Sequence, residues 1–207
     1  MTSWRKERSE EPTTTITWKK QGTYTLQDYL KIPDEHRVEL IDGVLFDMSS
    51  PYATHQIIGM QIYTQISNYI AYHKGRCIPF AAPMEVQPDR DDRTIVQPDV
   101  FVVCDRDKVT RRRIFGAPDL VIEVLSPSTR KKDLNLKRIK YQRAGVKEYW
   151  MIDPKRLKVI VELFGEHPEI SLYSFEEQVP VSVFQGDCKI DFAQIYEQVR
   201  FLYEQPD

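Results

Sequence analysis

Apolar positions recur along this chain with two periods. From 53 to 73, Ile57, Ile58, Ile62, Ile66, Tyr69 and Ile70 fall at helical spacing, which predicts a long amphipathic helix packed across a sheet. Before it, apolar runs at 38–41 and 44–46 flank Asp42-Gly43, a pairing that predicts a two-residue hairpin. Further upstream Thr25 can N-cap a short helix over 26–31 that stops before Pro33. After residue 75 the period shortens, predicting strands over 76–86, 96–104 and 120–125. The last two are almost continuously apolar, as strands buried on both faces are. Ser126-Pro127-Ser128-Thr129 ends the third and offers hydroxyl caps to a helix over 130–143, with Gly145 as its stop. Strands over 148–152 and 157–163 turn at Asp153-Pro154, followed by a strand over 170–173 and an amphipathic helix over 192–203. Interleaved elements of this kind define an α/β (α+β) chain with a central mixed sheet flanked by helices. The hairpin is expected beside the strands over 96–104 and 120–125, and the long helix over one sheet face.

With 207 residues, a single domain over 21–207 is expected after a weakly ordered, Thr-rich lead-in over 1–20. Hydrophobic residues make up 41% and charged residues 29%, enough for a core and a well-solvated surface. No apolar run approaches the roughly 20 residues that span a bilayer, so no membrane partner is expected. Cys77, Cys104 and Cys188 are odd in number and far apart. They form no metal spacing and no disulfide framework, which points to a reduced, cytoplasmic protein. A net charge of -2 argues against a protein that coats nucleic acid non-specifically. An enzyme acting on nucleic acid needs only a local basic rim, because bound metal ions supply further positive charge.

Two acids interrupt the apolar strands: Asp99 within residues 95–103, and Glu123 within 120–125. Desolvating an ionised carboxylate costs several kcal/mol unless it is paired or bound to a metal. A buried salt bridge would explain one such acid. Two in consecutive strands, one of them after Pro98, point to a shared divalent ion, and an oxygen-rich site suits Mg²⁺ or Mn²⁺. Proline avoids the interior of a central strand, so Pro98 marks a strand start or bulge where a site could open. The four histidines show no metal-ligand spacing. The helix over 130–143 carries seven basic residues against the single acid Asp133. Starting soon after Glu123, it brings Lys131, Lys132, Arg138 and Lys140 into reach as phosphate-contacting candidates. Arg111-Arg112-Arg113 is a further candidate for that rim.

These residues resemble a known pattern. Pro98-Asp99 followed by Glu123 is similar to the PD-(D/E)XK nuclease motif. Ordered blocks extend the likeness: 38–43, 96–99, 119–129, Asp133 with Lys137, and Gly145 to Trp150, with His55 after Ser50-Pro51. Together they resemble the bacterial family of putative restriction endonucleases within that superfamily. The resemblance implies a restriction-endonuclease-like fold and Mg²⁺-dependent (or Mn²⁺-dependent) phosphodiester hydrolysis. It implies that Asp99, Glu123 and the Val124 carbonyl hold the metal and that a lysine stabilises the developing charge. The superfamily's lysine normally stands two residues after the glutamate, and Leu125 occupies that place here. Lys137 is the substitute the pattern supports, Glu39 the extra acid, and His55 and Gln97 lesser candidates.

The expected function is therefore a DNA endonuclease, with a homodimer expected because duplex cleavage takes two cuts. Two other readings stay open: a nucleic-acid-binding module of this fold without turnover, and a metal-dependent hydrolase of small phosphate substrates. Intact Asp99 and Glu123 favour an enzyme, because a module gains nothing from desolvated acids.

Overall fold

The computed structural model describes residues 18–33 and 35–205, so most of the expected lead-in falls outside the described residues. Helix α1 (Leu26–Tyr29) starts in a capping box, with the Thr25 N–H and hydroxyl donating to Asp28 Oδ2 at 3.0 Å. Strands β1 (Val38–Ile41) and β2 (Val44–Asp47) turn at Asp42-Gly43, where φ is positive at both residues, as a tight hairpin requires. Helix α2 (Ala53–Tyr72) follows, and its Ile58, Ile62, Ile66 and Ile70 are all buried.

The central sheet has six strands in the order β10-β9-β8-β7-β5-β3. These are β3 (Ile78–Ala81), β5 (Val100–Val103), β7 (Leu120–Val124), β8 (Glu148–Asp153), β9 (Lys158–Leu163) and β10 (Glu169–Ser174). The β7–β8 pair is parallel and the other pairs are antiparallel, so the sheet is mixed, as expected. The expected strand over 76–86 divides, because Pro83 ends β3 and the chain re-enters extended form only at β4 (Glu85–Gln87). β4 pairs in parallel with β6 (Arg113–Phe115), a strand that is not among those the sequence pattern predicts.

Each sheet face carries its own core. On one, α2 and α4 (Phe192–Tyr203) pack with Val100, Val102, Leu120, Ile122 and Trp150, together with the pair β11 (Gln178–Pro180) and β12 (Lys189–Asp191). On the other, Phe101, Val103, Val121, Leu125 and Met151 meet Tyr141 of α3 (Arg138–Ala144). No helix among the described residues is long and apolar enough to cross a membrane.

Two expectations need correction. The hairpin does not join the central sheet. It forms its own two-stranded sheet and touches the chain leading to Asp99 through a bridge between Leu40 and Ile95. Cys77 and Cys104 are joined as a disulfide, and Cys188 is free and buried. The β3–β5 register sets Ile78 opposite Val103, so the cysteines flanking that pair face each other. Sequence spacing could not reveal this pairing, and the cysteine argument for a reducing compartment lapses.

Candidate active site

Strand register brings the two carboxylates together. β5 and β7 pair with Val100 opposite Ile122 and Phe101 opposite Val121. One further step sets Asp99 across from Glu123, and strand alternation points both to the face that carries Phe101, Val121 and Leu125. Pro98 cannot donate to a ladder, and β5 begins only at Val100. Where the backbone ladder stops, the Asp99 side chain continues it, with Oδ2 accepting the Val124 N–H at 2.7 Å. The same oxygen lies 3.1 Å from Nε2 of His55, in the first turn of α2. Burial opposes a charge on that imidazole, but Asp99 and the Val124 backbone raise its pKa above the ordinary value.

The lysine arrives from the helix after β7. Leu125 shares the Glu123 face but is buried in the core beside Tyr141 and Met151. Lys137 reaches Glu123 from that helix: its Nζ lies 2.9 Å from Glu123 Oε1, 2.7 Å from Glu39 Oε1 and 3.7 Å from Asp133 Oδ1. Tyr141, one turn on, donates its hydroxyl to the same Glu123 oxygen at 2.7 Å. Glu39, fully buried in β1, also accepts from the Gln97 N–H at 3.0 Å and from Lys132 Nζ at 2.6 Å.

Backbone geometry explains why two lysines reach one carboxylate. The segment Lys132–Lys137 is π-helical and runs directly into α3. Residues five apart in an α-helix are turned about 140° from each other. The i→i+5 bonding of a π-helix lines such residues up, and Lys132 and Lys137 are five apart.

The charges do not balance. Burial opposes the Lys137 charge, yet Glu123, Glu39 and Asp133 raise its pKa well above the ordinary lysine value. Burial also opposes ionisation of Glu39, but Lys137 and Lys132 hold it below the ordinary carboxylate range. Glu123 goes the other way. Burial pushes it up to about 8 against the pull of Lys137, and the charges of Asp133, Asp99 and Glu39 add to the rise. Burial raises Asp133 too.

All four acids line one cavity of about 490 Å³, together with Lys132, Lys137 and His55. Asp133 Oδ1 and Gln97 Oε1 are buried there without a hydrogen-bond partner among the described residues. Excess carboxylate and orphaned oxygen acceptors fit a hard divalent cation. Asp99, Glu123 and the Val124 backbone could hold it, with Asp133 nearby.

The remaining candidates part company. Lys131 is exposed and has no ion pair among the described residues. Arg138 pairs with Glu162 of β9 through Nε at 2.6 Å. Lys140 is buried and bound by Asp42 and Asp89, which leaves no free ammonium for phosphate. Arg113 lies in β6, paired with Glu85, away from the rim expected of it. Asp42, Asp89 and Asp91 bring carboxylate oxygens within 4.8 Å of one another, but the Lys140 ammonium already sits among them. The sequence marks Asp133 only as the partner of Lys137 and does not mark Tyr141, whose i, i+4 spacing from Lys137 is the signal that could find it.

A family model, Uma2, described as "Putative restriction endonuclease", matches residues 26–193. The chain belongs to that family. A solved structure of a "putative nuclease belonging to DUF820" from Anabaena variabilis is similar with TM-score 0.67 and 22% identity. The match covers 84% of this chain and 97% of that one, and it shows the shared restriction-endonuclease-like fold. No functionally curated protein matches the chain.

Proposed function

We propose that this member of the putative restriction endonuclease family is a divalent-metal-dependent nuclease that hydrolyses phosphodiester bonds in DNA. The observation that carries the reading is the Lys137 ammonium, set between Glu123 and Glu39 in a cavity shared with Asp99. In this reading Asp99, Glu123 and the Val124 carbonyl hold Mg²⁺ or Mn²⁺, which supplies phosphate charge neutralisation and an acidified water. Lys137 stabilises the negative charge that develops on the phosphate oxygen. Glu39 and Glu123 fix the lysine, while Lys137 and Tyr141 fix Glu123 Oε1. His55 and the Val124 N–H hold Asp99 Oδ2 and so fix the orientation of the carboxylate that would bind the ion. Lys131 contacts the backbone of the bound strand, and a homodimer, checked by sedimentation, supplies two cuts on a duplex. The name given to the Anabaena protein supports the nuclease class.

The test is purified protein incubated with plasmid, linear duplex and single-stranded DNA, in Mg²⁺, Mn²⁺ or EDTA. Cleavage is expected with either metal and is lost in EDTA, in Asp99→Ala and in Glu123→Ala. Cleavage in EDTA overturns the metal role. Binding without cleavage under every metal favours the binding module, and turnover of small phosphodiesters alone favours the third reading.

A further inference from the structure

Of the seven basic residues over 130–143, five are ion-paired within the molecule. Among the described residues Lys131 and Arg143 have no such partner, and Lys131 is the one beside the catalytic cavity. It lines a second hollow, of about 810 Å³, between β2 and the π-helical segment. This groove adjoins the catalytic cavity, and Met48, Thr129 and Lys132 line both. Phe46, Met48 and Leu136 give it an apolar lining, and each is only partly buried. Lys132 Nζ stands 5.5 Å from the Phe46 ring centroid. Asp47 and Asn135 add hydrogen-bonding groups.

We propose that this groove is a nucleotide subsite of the nuclease: an unstacked base lies against Phe46, Met48 and Leu136, and Lys131 holds the adjoining phosphate. The proposal rests on the nuclease reading and deepens it by naming the strand form that the site accepts. An aromatic ring and a cation without an internal ion pair among the described residues, lining one hollow next to the catalytic cavity, match what a base and its phosphate require. A base stacked and paired in a duplex cannot turn its face to such a lining without leaving the helix. The substrate is therefore single-stranded, or has a nucleotide extruded, next to the cut.

The experiment measures fluorescence anisotropy of labelled strands in Ca²⁺ at several salt concentrations. The probes are a short oligodeoxythymidine, an abasic strand with the same phosphates, and a blunt duplex. Wild type should bind the oligodeoxythymidine roughly tenfold or more tightly than the abasic strand. Phe46→Leu should remove most of that difference and leave abasic binding unchanged. Lys131→Ala should weaken both strands and lower the salt slope by about 0.7. If Phe46→Leu does not melt cooperatively, Leu136→Gln takes its place. Equal binding of abasic and thymidine strands, or affinities unmoved by these variants while DNA is still cleaved, overturns the subsite alone. Binding to no DNA and cleavage of none overturns the nuclease reading as well.

Discussion

Lys137 Nζ lies 2.9 Å from Glu123 Oε1 although the two are fourteen residues apart, on the helix and the strand it follows. Leu125, the nearer position on the Glu123 face, is packed into the core. Lys137→Met should lower cleavage by about 10²–10³-fold. Metal-induced stabilisation should survive, because in the proposed site carboxylates and not the lysine hold the ion. Breaking a buried ion pair costs about 3–5 kcal/mol, so the melting temperature should also fall. Adding Leu125→Lys returns an ammonium to the Glu123 face and should recover part of the activity, at a further cost in packing. Undiminished cleavage by Lys137→Met alone would remove the lysine from the chemistry.

Metal binding has its own readout. Mg²⁺ or Mn²⁺ should raise the melting temperature by mass action, about 2.7 kcal/mol at a hundredfold excess over Kd. Asp99→Ala should abolish that rise. Thermal melts with and without the ion decide the matter, and a rise that persists in Asp99→Ala would move the ion elsewhere.

Lys140 should matter for folding rather than for DNA. Its ammonium sits among Asp42, Asp89 and Asp91, so Lys140→Met leaves three carboxylates facing one another. Stability should fall, and millimolar Ca²⁺ should restore part of it by taking the vacated position. The salt slope of DNA binding should not change. A slope reduced by about one would reinstate Lys140 as a phosphate contact.

Asp153 anchors the start of the helix. Its Oδ2 accepts Arg130 at 2.6 Å and Arg156 at 3.0 Å. Burial works against ionisation, but hydrogen bonds from Arg156 and Arg130 hold its pKa below the ordinary aspartate value. A lowered folded-state pKa means that the stabilisation is complete above the unfolded value and is lost as pH falls through the folded one. Asp153→Asn should therefore cost about 1–2 kcal/mol near neutral pH. The gap to wild type should close below about pH 4. Urea titrations across that range measure it, and a gap independent of pH would assign the loss to packing.

Sequence periodicity determined the elements whose cause is local. The hairpin at Asp42-Gly43, the long helix, β7, β8, β9 and the helix over 192–203 follow from side-chain alternation and from turn residues lying within a few positions of one another. Asp99 and Glu123 were legible because an acid in an apolar strand is conspicuous wherever the strand ends up. Register alone then sets them on one face. Contacts across the chain were not legible. Lys132 meets Glu39 at a separation of 93 residues, and Lys140 meets Asp42 at 98. A row of basic residues reads the same whether it faces solvent or buried acids, so only packing could show that Lys131, among the described residues, lacks the internal ion pairs that hold Lys132, Lys137, Arg138 and Lys140. The π-helical stretch was equally hidden. It is favoured by the buried charges it aligns, and those come from β1 and β7, which no local pattern in 132–137 records.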